Sequence, residues 1–294
     1  MKIVVTGSLG HIGKPLTEEL VHQGHSVTVI SSKAEKQKDI EALGAIAAIG
    51  SLEDIDFLIT TFSGADAVFT MVPPNFAEAD QVAYYRRISA NYVQAINQTG
   101  VKRLVNLSSY GAHLDKGTGY ILGAHFAETI LDKLTDVAIT HLRAGYFYYN
   151  LFGFIDMIKG AGFIGTNYGG DDKMVLVAPV DIAAVAAEEL IKPAGSETIR
   201  YVVSDELTAS EVAHIIGNAI GKPDLQWVVL TNEQMRAGME KRGLPPHVID
   251  NFVELGGSLH SGALLEDYEQ HKPTLGHVKL DDFAKEFAAV YQNG

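Results

Sequence analysis

The stretch Thr6-Gly7-Ser8-Leu9-Gly10-His11-Ile12-Gly13 decides how this chain is read. It follows a short apolar run at 2–6 and opens an amphipathic stretch at 13–23. Three glycines at three-residue spacing, between a strand and a helix, suit the binding of an anion. Gly7 permits a tight turn off the strand. Gly10 lets a pyrophosphate approach the backbone with no Cβ in the way. Gly13 lets the helix pack closely on the strand. Backbone N–H groups and the helix dipole then face the anion. The spacing is one residue wider than Gly-x-Gly-x-x-Gly, but the strand–turn–helix setting is that of a dinucleotide turn. Gly7, Ser8, Leu9, Gly10, His11, Ile12 and Gly13 are therefore expected to bind a dinucleotide cofactor.

Outward from the turn, short β-branched runs alternate with helical patterns. Strands are expected at 26–30, 45–49, 67–72, 103–108 and 138–143, and helices at 36–43, 54–62, 80–99 and 122–134. Runs this apolar suit strands buried on both faces. Gly24, Gly44, Gly64 and Gly100 follow helical patterns, where a left-handed C-cap is wanted. The alternation predicts an α/β fold: a Rossmann-type doubly wound parallel sheet with a smaller, mostly helical C-terminal substrate lobe. Residues 1–150 are expected to form the nucleotide-binding domain, with 173–204 returning to it. Residues 151–172 and 205–294 are expected to form the lobe.

The second strand ends Ile30-Ser31-Ser32-Lys33. An NAD site wants a carboxylate here for the ribose 2′-hydroxyl, yet the first acid is Glu35. Ser31 and Ser32 can donate to a 2′-phosphate and Lys33 can neutralise it. NADP(H) is thus expected in preference to NAD(H).

Composition narrows the partners. The 294 residues are 47% hydrophobic and 20% charged, enough apolar chain for a sizeable core. Twenty-three basic residues against 36 acidic ones give a net charge of −13, which disfavours nucleic acid and anionic membrane surfaces. There is no cysteine, so disulfides, thiolate nucleophiles and Cys-ligated metal are excluded. The eleven His show no metal-ligand spacing, and no metal is expected. The apolar run at 3–5 is too short for a signal peptide, and 144–158 is too short and too polar to span a bilayer. A cytoplasmic protein, monomer or homodimer, acting on a small molecule is the expectation.

These features together resemble the NmrA-like branch of the atypical short-chain dehydrogenase/reductases. The resemblance rests on Thr6–Gly13, Gly50, Val68-Phe69-Thr70-Met71-Val72-Pro73-Pro74, the stretch 100–109 ending Asn106-Leu107-Ser108-Ser109, His125, 140–147, 180–183 and 207–211. It implies NAD(P)H binding, with Met71, Val72, Pro73, Ser108, Gly145, Tyr146 and Phe147 joining the glycine turn around the cofactor. It also implies an activity like that of reductases of quinones, dyes or aromatic ethers, or of regulators that sense the nucleotide without catalysis.

The proton relay of typical short-chain dehydrogenases is missing. A Tyr-x-x-x-Lys pair lowers the tyrosine pKa so that its hydroxyl can donate a proton. Tyr120 stands where the motif belongs, but Ala124 replaces the lysine. Tyr268 and Lys272 have the spacing, in a polar stretch far from the cofactor half, and read as coincidence. What remains is His125 beside the lost lysine, with Tyr120, as catalytic candidates. Glu128, three residues on, can orient the imidazole or face solvent, and the solvent reading is preferred. Tyr110, Tyr149 and Asn150 are candidates for the acceptor pocket. The aromatic run 146–154 either stacks on a planar substrate or fills a core. The expected function is hydride transfer from NAD(P)H to a small planar acceptor such as a quinone. The alternatives are a non-catalytic NADP(H) sensor and, last, a sugar-nucleotide epimerase.

Overall fold

In a computed structural model, residues 1–193 and 198–293 are described. The chain divides into two compact units. The first holds Met1–Ala112, Gly123–Arg143 and Ile182–Arg200; the second holds His113–Leu122, Ala144–Asp181 and Tyr201–Gly294.

The first unit is built on β1 (Lys2–Val5), α1 (Gly13–His22), β2 (Ser26–Ser31), α2 (Gln37–Ala42), β3 (Ile46–Ile49), α3 (Ile55–Phe62) and β4 (Ala67–Thr70). It continues through α4 (Gln81–Thr99), β5 (Arg103–Ser109), α5 (Leu122–Leu131) and β6 (Ala138–Ala144). Later chain adds α7 (Pro179–Ile191) and β10 (Ile199–Val202). The seven-stranded sheet has the order β10-β6-β5-β4-β1-β2-β3. Pairing is parallel from β3 through β2, β1 and β4 to β5. Successive strands step outward from β1 to β3, then return to β4 on the other side of β1. That reversal opens the crevice where ligands of doubly wound sheets bind, outside the carboxyl ends of the strands.

Local chemistry explains these elements. Ile3, Val4 and Val5 are all buried, as a central parallel strand requires. The Asp80 side chain accepts from Ala83 N–H to start α4, and Gly100 at φ 73° ends it. Tyr84, Ile88, Tyr92, Ala95 and Ile96 form its inner stripe and pack with Val4, Leu58, Phe62 and Leu104. The strand expected at 67–72 stops at Thr70, because Met71 N–H turns aside to Thr6 Oγ1, 3.0 Å away.

The second unit carries two small sheets. β7 (Tyr146–Phe147), β9 (Lys173–Val177) and β11 (Asp205–Thr208) form one, in the order β11-β9-β7. β8 (Ile164–Thr166) pairs with β12 (Trp227–Val229) in the other. The helices are α6 (Ile155–Ala161), α8 (Ala209–Ala219), α9 (Asn232–Lys241), α10 (Pro246–His260) and α11 (Leu280–Asn293). Of the stretch 173–204 expected to return to the first unit, Ile182–Arg200 lies with it, and β10 joins its sheet as expected for 199–204; β9 pairs with β7 and β11, and Gly145 lets the chain leaving β6 lie against it.

Candidate functional site

In the first unit the glycine turn has the geometry its sequence implies. Gly7 takes φ 91°, a conformation L residues avoid. A Cβ on Gly13 would stand 2.1 Å from the Ser8 carbonyl oxygen, so only glycine allows this contact. Gly10 is exposed, and a Cβ there would meet only the Gly7 oxygen, at 3.4 Å. The space above Gly10 is open to a ligand. Ile12 begins α1 with no side-chain cap, and no acid lies in the first turn. The positive end of the helix is therefore left to an anion. Leu9 is partly exposed, His11 is exposed and Ile12 is buried.

Ser8 is the one non-glycine residue with positive φ, 58°, among the described residues. Its Oγ donates to Ser31 Oγ over 3.0 Å, and Lys33 N–H donates to the same oxygen over 3.2 Å. Ser31 is 2% exposed and serves as a support. Ser32 and Lys33 are exposed. These residues fit a dinucleotide: an open cradle over Gly10, a free helix end, and two polar side chains presented at the tip of β2.

The chain leaving β4 closes the other side of the turn. Met71 lies against Gly7, and the Tyr92 hydroxyl donates to the Met71 carbonyl over 2.8 Å. Val72 is buried and Pro73 is partly exposed.

At the ends of β5 and β6 the structure overturns one expectation. Glu128 does not face solvent; it is 6% exposed. Arg143 of β6 binds its carboxylate through Nε (3.1 Å) and Nη2 (2.7 Å), and Ser108 Oγ donates to it over 2.5 Å. A buried carboxylate needs such a partner, and Arg143 supplies the charge. The Ser108 proton is thereby committed inward. Tyr110 is also buried, which removes it from any open pocket wall.

His125 is partly buried, with Nδ1 2.9 Å from the Ala112 carbonyl oxygen. A carbonyl only accepts, so Nδ1 carries the proton and Nε2 is the atom left for chemistry. The edge of the His125 ring meets Phe126, whose face carries the Arg86 guanidinium at 3.8 Å. Ala124, at the lysine position, is buried.

In the second unit, Tyr120 sits in the 3-10 turn Gly119–Ile121 just before Leu122. Its ring meets Phe252 of α10 edge-on at 5.0 Å, and burial raises its hydroxyl pKa. Gly119 N–H donates to Glu254 Oε2, and a Cβ at Gly119 would strike the Asn251 oxygen at 2.1 Å. Gly145 is required for packing, since a Cβ there would lie 2.5 Å from the Val175 oxygen. Phe147 and Tyr149 stack at 5.1 Å, and Asn150 is exposed. Burial pushes the Tyr146 and Tyr149 hydroxyls up to about 12. The rest of the aromatic run is core: Tyr148 stacks on Phe283 and Phe152 on Phe287. Tyr268 and Lys272 are structural. The Tyr268 hydroxyl donates to Glu206, Lys272 pairs with the same carboxylate at 3.1 Å, and burial plus Glu206 raise the Tyr268 pKa. Catalysis would need the opposite shift.

Sequence reasoning missed the Glu128–Arg143 pair, the left-handed Ser8 and the support from Thr6 and Tyr92. Among these, an acid at Glu128 with apolar Ala127 and Ile130 close by was the one signal available in the sequence.

Comparison with known proteins agrees with this geometry. A family described as NAD(P)H-binding matches residues 7–152. The NAD(P)H azoreductase of Xenophilus azovorans is 29% identical over 257 residues, covering 86% of this chain and 85% of the azoreductase. An NADPH-dependent quinone oxidoreductase from Escherichia coli, solved with NADPH, superposes with a TM-score of 0.83 at 20% identity, covering 97% of this chain and 99% of that one. A nucleoside-diphosphate-sugar epimerase from Staphylococcus aureus shares the fold, with a TM-score of 0.79 at 17% identity over 97% of this chain and 100% of that one. Residues 7–152 are therefore similar to this NAD(P)H-binding family, and the fold is Rossmann-type, in keeping with the NmrA-like resemblance of the sequence.

Proposed function

We propose that this protein is an NADPH-dependent reductase that passes hydride to a small planar acceptor, a quinone or an azo dye. The observation that carries the proposal is the cradle over Gly10 beside the free start of α1, in a chain whose relatives include an azoreductase. When bound, the nicotinamide supplies the hydride; the protein supplies position and charge. The glycine turn and the start of α1 hold the pyrophosphate. Ser32 and Lys33, with Ser31 and Ser8 beneath them, favour a 2′-phosphate over a bare hydroxyl. Nε2 of His125 is the atom suited to exchange a proton with the reduced acceptor. Quinones need little acid assistance, so the loss of the lysine is tolerable. The protein is proposed to act in the cytoplasm as a monomer or homodimer. Among the described residues, no helix is long and apolar enough to cross a membrane.

Steady-state oxidation of NADPH and NADH with a panel of quinones and azo dyes tests this reading. Turnover favouring NADPH supports it. His125→Ala is expected to lower kcat by about tenfold to a hundredfold with NADPH affinity retained. NADPH binding without turnover on any acceptor would sink the enzyme and favour the sensor, the reading that Ala124 in place of a lysine also suits. The same substitution counts against an epimerase, which relies on the Tyr-x-x-x-Lys relay.

A further inference from the structure

The chain has no cysteine, so methionine is its only sulfur. Met174 and Met235 are buried, and the Met157 sulfur accepts the Gly165 N–H at 3.0 Å. Met71 differs. Like Met157 and Met239 it is partly exposed, but its side chain fills the space that Gly7 leaves vacant. A Cβ built on Gly7 would stand 3.0 Å from Met71 Cγ, 3.1 Å from Sδ and 3.8 Å from Cε. The backbone cannot withdraw the thioether. Met71 N–H is tied to Thr6 Oγ1 and its carbonyl to the buried Tyr92 hydroxyl, at 3.0 and 2.8 Å. Any added bulk or polarity on this sulfur is therefore delivered to the first glycine of the dinucleotide turn.

We infer that Met71 is an oxidation site through which peroxide weakens NAD(P)H binding. The inference rests on the reading of the glycine turn as the cofactor site. The sulfur donates an electron pair to one peroxide oxygen, and the O–O bond breaks. An S–O bond forms and the other oxygen leaves as water, so sulfur is oxidised and peroxide reduced. The product is a polar, chiral sulfoxide in place of a flexible apolar side chain. Its partly negative oxygen stands beside the turn that must accept a pyrophosphate, and its extra volume presses on Gly7. A bound dinucleotide would in turn cover the sulfur and protect it.

The test treats the full chain with hydrogen peroxide, with and without NADPH. Peptide mass spectrometry reads oxidation at each methionine, and NADPH fluorescence titration reads affinity. Met71 is expected to gain one oxygen, more slowly when NADPH is present. The oxidised protein is expected to bind NADPH about tenfold or more weakly. A methionine sulfoxide reductase should restore the affinity. Met71→Leu, compared with itself before treatment, is expected to lose no affinity on oxidation, although its other methionines still react. Met71→Gln should mimic the weakened state. Equal NADPH affinity before and after complete Met71 oxidation overturns the inference, as does an equal loss in the Leu variant. Failure of the untreated protein to bind NADPH overturns the cofactor reading instead.

Discussion

Gly10 and Gly13 lie three residues apart in one turn, but the surrounding atoms give them different duties. Gly13 is needed by the protein itself, since its missing Cβ makes room for the Ser8 carbonyl. Gly13→Ala is expected to lose about 2 kcal/mol or more of stability as well as NADPH affinity, read by thermal unfolding and fluorescence titration. Gly10 is needed by the ligand, because among the described residues only the Gly7 oxygen, at 3.4 Å, comes near a Cβ there. Gly10→Ala is expected to leave stability within about 0.5 kcal/mol and still lose NADPH affinity. If both variants unfold alike, the cradle is a packing motif and no ligand site. This division was legible in the sequence, because glycine chemistry acts over a few bonds. Ser8 was legible only as a member of the motif. Its left-handed backbone depends on Ser31, which arrives from another strand.

The buried pair Glu128–Arg143 shows what spacing along one helix leaves hidden. A helical reading places Glu128 one turn beyond His125 and says nothing of β6. In the fold, Arg143 reaches back fifteen residues to bind that carboxylate, and Ser108 of β5 joins it. Three elements, β5, α5 and β6, are thus cross-tied by one acid. Removing either partner strands a charge in the interior, so Glu128→Gln or Arg143→Met is expected to cost about 3–5 kcal/mol in urea unfolding. The double variant Glu128→Leu with Arg143→Met should cost less than either single change. A larger loss in the double would mean that the pair contributes more than it costs to bury. The strands and helices of this unit were legible within about three residues, from apolar runs and glycine caps. The destination of β9 was not, because a short apolar strand looks the same in either sheet.

At the scale of the whole molecule, carboxylates held in ion pairs are expected to tie stability to acid pH. Arg200 and Lys192 hold Glu188 at about 2. Burial alone would raise Glu206, but Lys173, Tyr268 and Lys272 outweigh it and bring it to about 2. Burial opposes Lys192 and Arg200 at Glu189 as well, and the net shift is downward. A carboxyl whose folded pKa lies below its ordinary 4.5 stabilises the fold fully above that value. The contribution is lost as pH falls from 4.5 toward 2. Melting temperature should therefore fall through this window, and Glu188→Gln or Glu206→Gln should flatten the fall. An unchanged slope in both variants would place the acid sensitivity elsewhere.

The position of β10 at the rim of the seven-stranded sheet has a consequence for synthesis on the ribosome. Its neighbour β6 is complete at residue 144, but the strand that covers its outer edge begins only at Ile199. At ordinary translation rates the intervening chain takes on the order of seconds to emerge. During that interval the nascent protein presents an apolar strand with unpaired backbone donors and acceptors, a template for wrong pairing. The newborn chain is therefore expected to be prone to wrong pairing until Ile199 has emerged. A polypeptide stopped before Ile199 is expected to collect in the insoluble fraction, while the full-length chain does not.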